Sequence, residues 1–286
     1  MSLSPYTLRM PKIRTTAAIF ASPHSGRNYP AAFVRDSQLD EVALRSSEDA
    51  FIDMLYESAP EFGAPLLAAT FPRAYVDLNR APDELDPALI TGVVRRRHNP
   101  RIASGLGVIP RVVAHSRTIR QGKISLLEAK RRLRHCYYPY HNKLKQLVEE
   151  TERDFRHVLL FDCHSMPHDA LVATSYAFDK KPDVVLGDRY GASCAKRITD
   201  EAERIFTDAG LRVSRNLPFA GAYVTQQYGW PSIGRHTLQI EIDRALYMDE
   251  EKIVPRDDFS EFQALMRSVV KRLADLATDD LMLAAE

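Results

Sequence analysis

The stretch His157-Val-Leu-Leu-Phe-Asp-Cys-His-Ser-Met-Pro167 opens on a short apolar run and turns polar at Asp162. Such a run reads as a buried strand, His157–Phe161, which leaves the chemistry-bearing Asp162-Cys163-His164-Ser165 at its carboxyl end. The same layout recurs upstream. Thr16–Ala21 is short and apolar and ends in Ser22-Pro-His-Ser-Gly26, placing His24 at a strand edge.

Further strands are expected over Pro65–Thr70 and Ala74–Leu78, the second ending in Asp77-Leu-Asn-Arg80. From Ser46 the spacing turns helical, with Phe51, Ile52, Leu55 and Tyr56 apolar, and this predicts a helix that stops near Gly63. A capping box, Ser125-x-x-Glu128, opens a helical stretch in which Leu133, Tyr137, Tyr140, Leu144 and Leu147 share a face; Pro139 should kink or split it. Downstream come a strand at Asp183–Leu186, a helix near Ser193–Ala209, a short strand around Arg212, a strand at His236–Ile242, and a last helix capped by Asp258-x-x-Glu261. Residues 81–124, rich in Pro, Arg and Gly, are too long for a simple connection and read as an excursion near the site. Strands alternating with helices predict an α/β fold, a mixed, largely parallel sheet flanked by helices on both faces, with ligands at the carboxyl edges of the strands. No repeat or boundary interrupts the order, so a single domain over 1–286, with a core from about 16 to 277, is expected.

Composition narrows the partners. With 39 Lys and Arg against 38 Asp and Glu, the net charge of +1 is too balanced for a protein that depends on a phosphate-backbone field, so nucleic acid is not expected. The three cysteines lack a Cys-x-x-Cys spacing, which argues against a disulfide framework or a zinc knuckle and for a reducing compartment. Met1–Arg14 has no basic start followed by an apolar core, and no run approaches the roughly 18 apolar residues of a membrane span. A cytoplasmic protein acting on a small molecule, without a membrane partner, is the expectation; the oligomeric state is left open.

Two histidines and a carboxylate form the ligand set of an open catalytic zinc site, and His24, His164 and the Glu48-Asp49 pair supply those residue types. Zinc held this way lowers the pKa of water to about 7 and polarises a carbonyl, the chemistry amide hydrolysis needs. Each residue also has a plainer reading. His24 and His164 read equally as buried histidines bonded to backbone, and Asp49 as the closing member of a Ser46-x-x-Asp49 capping box. In Thr237-Leu-Gln-Ile-Glu-Ile242, alternation puts Leu238, Ile240 and Ile242 on one face and Gln239 and Glu241 on the other. Glu241 then faces either a polar site or, on an edge strand, solvent.

Ser22-Pro-His-Ser-Gly26, Ser47-Glu-Asp-Ala-Phe-Ile-Asp53, Asp77-Leu-Asn-Arg80, Pro139-Tyr-His141, Asp162-Cys-His-Ser-Met-Pro167, Gly187-Asp-Arg189 and the block from Tyr228-Gly to Tyr247-Met-Asp-Glu250 together resemble the N-formylglutamate amidohydrolase family, over about residues 20–250. That family looks like a branch of the zinc carboxypeptidase and aspartoacylase group, so the resemblance implies a zinc-carboxypeptidase-like fold. It puts His24 and His164 on one Zn2+ per chain. It takes Asp49 as the acidic ligand, because the family motif has an aspartate four residues before the one matching Asp53. The group's usual glutamate, three positions after the first histidine, is replaced here by Arg27. The resemblance further implies Glu241 as general base, Arg73 steadying the oxyanion, and Asn79 with Arg80 holding a substrate carboxylate. Cleavage of N-formylglutamate to formate and glutamate is the implied reaction.

A dicarboxylic substrate needs a further cation, for which Arg244, Arg235 and Arg27 are candidates. Arg95-Arg-Arg-His-Asn-Pro-Arg101 reads either as a solvated loop or as an attractor for an anionic substrate. His141 and His236 read as orienting partners, and Tyr223, Gln226 and Trp230 as a lid on a Gly-containing loop. Competing functions are a deacylase or carboxypeptidase on another N-acyl amino acid, a thiol hydrolase using Cys163, and a non-enzymatic metal- or amino-acid-binding module. Adjacent residues on a strand face opposite ways, so Cys163 and His164 are not expected to pair.

Overall fold

The computed structural model describes residues 4–94, 99–171 and 181–278. Its centre is a seven-stranded sheet. In chain order the strands are β1 (Tyr6–Arg9), β2 (Ala18–Ser22), β3 (Leu66–Ala69), β4 (Val158–Met166), β5 (Val184–Gly187), β6 (Val213–Arg215) and β7 (Arg235–Asp243). They lie in the order β1-β3-β2-β4-β7-β5-β6. The four pairs β3–β2, β2–β4, β4–β7 and β5–β6 are parallel, and β1–β3 and β7–β5 are antiparallel. This is the mixed, largely parallel sheet expected from the element order.

Side-chain alternation divides the molecule into layers. On one face Phe20, Leu159, Phe161, Leu238 and Ile240 pack against helices α2 (Lys196–Asp208) and α3 (Phe259–Leu276). On the other, Ile19, Ala21, Val158 and Leu160 pack against α1 (Tyr138–Phe155) through Tyr140, Leu144 and Leu147. The apolar face predicted around Leu133 is therefore the one that covers the sheet. The helical stretch that the capping box opens is split as expected, into an α-helix at Leu126–Arg132 and α1, which carries Pro139 in its first turn. The chain widens into a π turn over Leu133–Tyr137 immediately before it, which accommodates a ring that would otherwise meet the carbonyl four residues back.

Three local expectations are corrected. No helix runs from Ser46 to Gly63. Ser46 ends a short helix, Glu41–Arg45, and Phe51 takes a left-handed backbone (φ 65°) before one turn at Ile52–Leu55. The Ser46–Asp49 capping box does not form; the Ser46 hydroxyl donates to the Ala43 carbonyl, while Asp49 faces the two imidazoles described below. Ala74–Leu78 is not a strand. Its apolar side chains are buried, but Tyr75 and Val76 N–H both return to the Pro72 carbonyl in a turn. The last helix forms as expected, without a side-chain hydrogen bond from Asp258.

Candidate metal centre and its cavity

β4 extends past Phe161 to Met166, so Asp162 and His164 remain on the strand, on the face shared with Val158 and Leu160. Polar residues tolerate this buried position because they meet a cavity and one another. β7 lies beside β4 in parallel register with His164 opposite Glu241, and its alternation sends Leu238, Ile240 and Ile242 into the core and Gln239 and Glu241 into the cavity. An edge strand in solvent is thereby excluded for Glu241, which is only 8% exposed.

His24 follows β2 by two residues, and its carbonyl accepts from Asp49 N–H at 3.1 Å, which ties the two segments together. Gly26 allows this loop to lie flat on the next one: a Cβ there would sit 2.1 Å from the Phe71 carbonyl oxygen. The His24 and His164 rings are 4.7 Å apart between centroids. Asp49 Oδ2 lies 2.8 Å from His164 Nδ1 and 3.4 Å from His24 Nδ1, and one ligand atom from each of the three residues fits within a 4.8 Å group. All three side chains are buried.

The far edge of each ring meets a second carboxylate. His24 Nε2 is 2.7 Å from Asp77 Oδ1, and His164 Nε2 is 3.0 Å from Asp162 Oδ1. Carboxylates in this position fix the imidazole tautomer and leave the near nitrogen's lone pair for a cation. Among the two imidazoles and the three carboxylates around them, two buried atoms lack a hydrogen-bond partner, His24 Nδ1 and Asp162 Oδ1. A divalent ion among the Nδ1 atoms and Asp49 would take the first directly. By moving the His164 proton to Nε2 it would give the second its donor. The donor set therefore fits a metal ion, with His24, Asp49 and His164 as its ligands.

Charge follows the same logic. Burial raises the Asp49 carboxyl, but the His164 hydrogen bond and the His24 imidazole outweigh it and hold Asp49 well below the usual carboxylate range. Burial raises Glu241 to about 7; His164 opposes this, and the Asp49 charge adds to it. Gln239 Nε2 donates to Glu241 Oε1 at 2.9 Å and so orients the carboxyl.

These groups open into a cavity of about 450 Å³. A model of the N-formylglutamate amidohydrolase family matches residues 16–248. The chain belongs to this family. Among relatives of this amidohydrolase, the N-formylglutamate deformylase of Pseudomonas putida is 30% identical over 263 residues, 89% of this chain and 91% of that one. The deformylase of Pseudomonas aeruginosa is 29% identical over 262 residues, 90% and 91% of the two chains. The solved N-formylglutamate amidohydrolase from Ralstonia eutropha JMP134 superposes with a TM-score of 0.90 at 35% identity, covering 96% of this chain and 99% of that one. Atu2144 from Agrobacterium tumefaciens shares the fold, with a TM-score of 0.67 at 16% identity, covering 95% and 96%.

Of the remaining expected residues of this amidohydrolase, Arg73, Asn79, Arg80 and Arg244 line the cavity. Arg73 Nε donates to Asp77 Oδ2 at 2.9 Å, which anchors the guanidinium at the cavity wall. Asn79 is fully engaged: its oxygen accepts from Val224 N–H at 2.7 Å and its amide nitrogen meets Asp162 and His164. Arg244 donates to Ser165 Oγ, the Ser46 carbonyl and Asp49 Oδ1, so all three nitrogens brace Asp49 and the segments beside it. Glu48, the other acidic residue of its pair, is instead bound by Tyr29 and Arg45. Arg27 pairs with Asp53 and Arg235 with Glu152, and neither lines the cavity.

The 81–124 excursion does form one wall, through residues from Arg101 to Ser116, while Arg95–His98 fall outside the described residues. The expected lid is corrected. Tyr223 and Gln226 lie on a short helix, Tyr223–Tyr228, Trp230 is 55% exposed, and the cavity wall is the preceding Pro218–Ala222. His141 bonds the Leu78 carbonyl and Tyr228, and His236 accepts from Ala195 N–H, so both serve packing of neighbouring segments. Cys163 is buried on the opposite face among core residues, and burial pushes its thiol well above the ordinary value, which removes the thiol-hydrolase reading. Asp77 and Asp162 as imidazole partners, and Gln239 beside Glu241, were not singled out from sequence. Alternation along the two strands and the Asp-Leu-Asn-Arg motif carried that signal.

Proposed function

We propose that this chain is a divalent-metal N-formylglutamate deformylase, hydrolysing the formamide to formate and glutamate within one unit spanning residues 16–277. The observation that carries the reading is the register pair His164–Glu241. It sets a carboxyl of raised pKa beside the His24–Asp49–His164 group in a cavity rimmed by arginines. Zinc suits a set of two imidazoles and one carboxylate, and when bound there it would polarise the formyl carbonyl and acidify water.

The chain's own residues supply the rest. Glu241 takes a proton from the attacking water on Oε2, since Oε1 is occupied by Gln239, and returns it to the departing amine nitrogen as the C–N bond breaks. A carboxyl poised near neutrality can do both. Arg73, anchored by Asp77, offers its terminal N–H groups to the oxygen that gains negative charge. Arg80 binds a substrate carboxylate, and Arg244 holds Asp49. Membership in the family and the names of the curated relatives support the formyl substrate.

The test is formate release from N-formyl-L-glutamate by purified protein, compared with acetate release from N-acetyl-L-glutamate. Faster turnover of the formyl compound is expected. A preference for the acetyl compound would move the reading to a general deacylase, and hydrolysis of neither would remove it.

A further inference from the structure

A dicarboxylic substrate presents two anionic ends, and two of the cavity's arginines are already committed. Arg73 is paired with Asp77 and Arg244 with Asp49. Two guanidiniums that line the cavity, Arg80 and Arg101, have no carboxylate within ion-pair distance among the described residues. Arg80 is 7% exposed and spends Nε on the Leu106 carbonyl at 3.0 Å and Nη1 on the Asn79 carbonyl at 3.0 Å, leaving Nη2 without a partner among the described residues. The side chain of Arg101 has no hydrogen-bond or ion-pair partner there at all.

The two are mechanically linked. Leu106, whose carbonyl receives Arg80, donates its own N–H to the Arg101 carbonyl at 2.8 Å. Asn99 Oδ1 accepts from Arg101 N–H at 2.9 Å and fixes the start of the short helix Pro100–Ala103 that carries the residue. Burial lowers the Arg80 guanidinium, Asp77 raises it, and the charges of Arg73 and Arg101 lower it further. Asp77 and Glu84 act on Arg80 from beyond ion-pair distance and Arg101 is exposed, so among the described residues Arg80 Nη2 and the Arg101 guanidinium are the cavity's unpaired cationic donors for an entering anion.

We propose that Arg101 determines specificity for a dicarboxylic N-formyl amino acid by binding the carboxylate at the far end of the substrate, while Arg80 binds the one nearer the reacting amide. This rests on the deformylase reading and assigns the second carboxylate that Arg27, Arg235 and Arg244 are not placed to take. Because Arg101 is on the excursion wall rather than the sheet, it contributes nothing to the metal site and acts through substrate affinity.

The experiment compares N-formyl-L-glutamate with N-formyl-L-glutamine, which keeps the shape and removes the distal charge, in the parent and in Arg101→Ala and Arg101→Lys. A charged hydrogen bond lost corresponds to about 10- to 100-fold in kcat/KM. That loss is expected in R101A for the glutamate compound, mostly in KM, with little change for the glutamine compound, so the selectivity ratio collapses. R101K should recover part of it. Equal losses on both compounds, or no loss, would overturn the assignment. Calorimetric binding of glutarate against butyrate needs no turnover and separates the two claims. If the parent fails to hydrolyse N-formylglutamate yet prefers glutarate through Arg101, the deformylase reading falls and the dicarboxylate site stands. Glutarate preference unchanged in R101A sinks the site whatever the turnover.

Discussion

Replacing Asp77 by Asn tests whether the carboxylates behind the imidazoles tune the metal site. Asp77 uses two oxygens for three donors: Oδ1 receives His24 Nε2 at 2.7 Å and Asn79 N–H at 2.8 Å, and Oδ2 receives Arg73 Nε at 2.9 Å. An asparagine has one oxygen. Placed toward His24 and Asn79, it keeps the His24 tautomer but turns an NH2 onto the Arg73 N–H and deletes the negative charge. Placed the other way, it faces His24 Nε2 with a donor and drives the ring proton to Nδ1, where it blocks a cation. Either orientation weakens the metal site, and loss of such a partner costs about 10- to 100-fold in metal affinity, or about 1.4–2.7 kcal/mol. The assay is competition for Zn2+ between the protein and a chromophoric chelator, with circular dichroism to verify folding. Asp77→Asn with parental affinity, in a folded protein whose Asp49→Asn variant has lost the metal, would refute the reasoning.

Other outcomes follow from the same geometry. Glu241→Gln should keep the metal and lose about 10²- to 10⁴-fold in kcat, as removal of a general base does; formate release near the parental rate would take Glu241 out of the mechanism. Gly26→Ala forces a Cβ to 2.1 Å from the Phe71 carbonyl oxygen, so the loop carrying His24 must move; metal affinity should fall together with melting temperature, and an unchanged protein would contradict the close approach. Burial lowers both His141 and His236 to about 4. The unfolded chain binds these protons below about pH 6.5 and the folded chain only near 4, so stability is complete above that upper value and is lost as pH falls between the two. His236→Asn should remove about 1.4 kcal/mol per pH unit from that slope in urea titrations; a slope equal to the parent's would mean that His236 protonates freely in the folded state.

How much was legible in the sequence depended on whether local pattern and site geometry agreed. The strands at 157–161 and 236–242 were readable because their apolar residues alternate between or fill two covered faces. Glu241 was readable because it breaks the apolar composition of such a strand while respecting its alternation. The strand ending at Phe161 was read too short, since a change to polar residues ordinarily signals solvent, whereas here Asp162 and His164 turn polar toward a cavity. The helix expected from Ser46 failed for a related reason: Asp49 is drawn to the imidazoles and Arg244, and Phe51 reverses the backbone to permit it. Ala74–Leu78 shows the limit of periodicity, because a buried turn and a buried strand demand the same apolar residues. Strand alternation places Asp162 beside His164, but the pairing of His24 with Asp77 and of both histidines with Asp49 depends on how distant segments meet in the fold.

The most direct test of the account is metal content measured with formate release on the same purified sample. One divalent ion per chain, lost together with activity on dialysis against chelator and restored with it by Zn2+, in a parent protein but not in His24→Ala or His164→Ala, is the expected result. Full hydrolysis of N-formylglutamate by protein verified to be free of metal would contradict it.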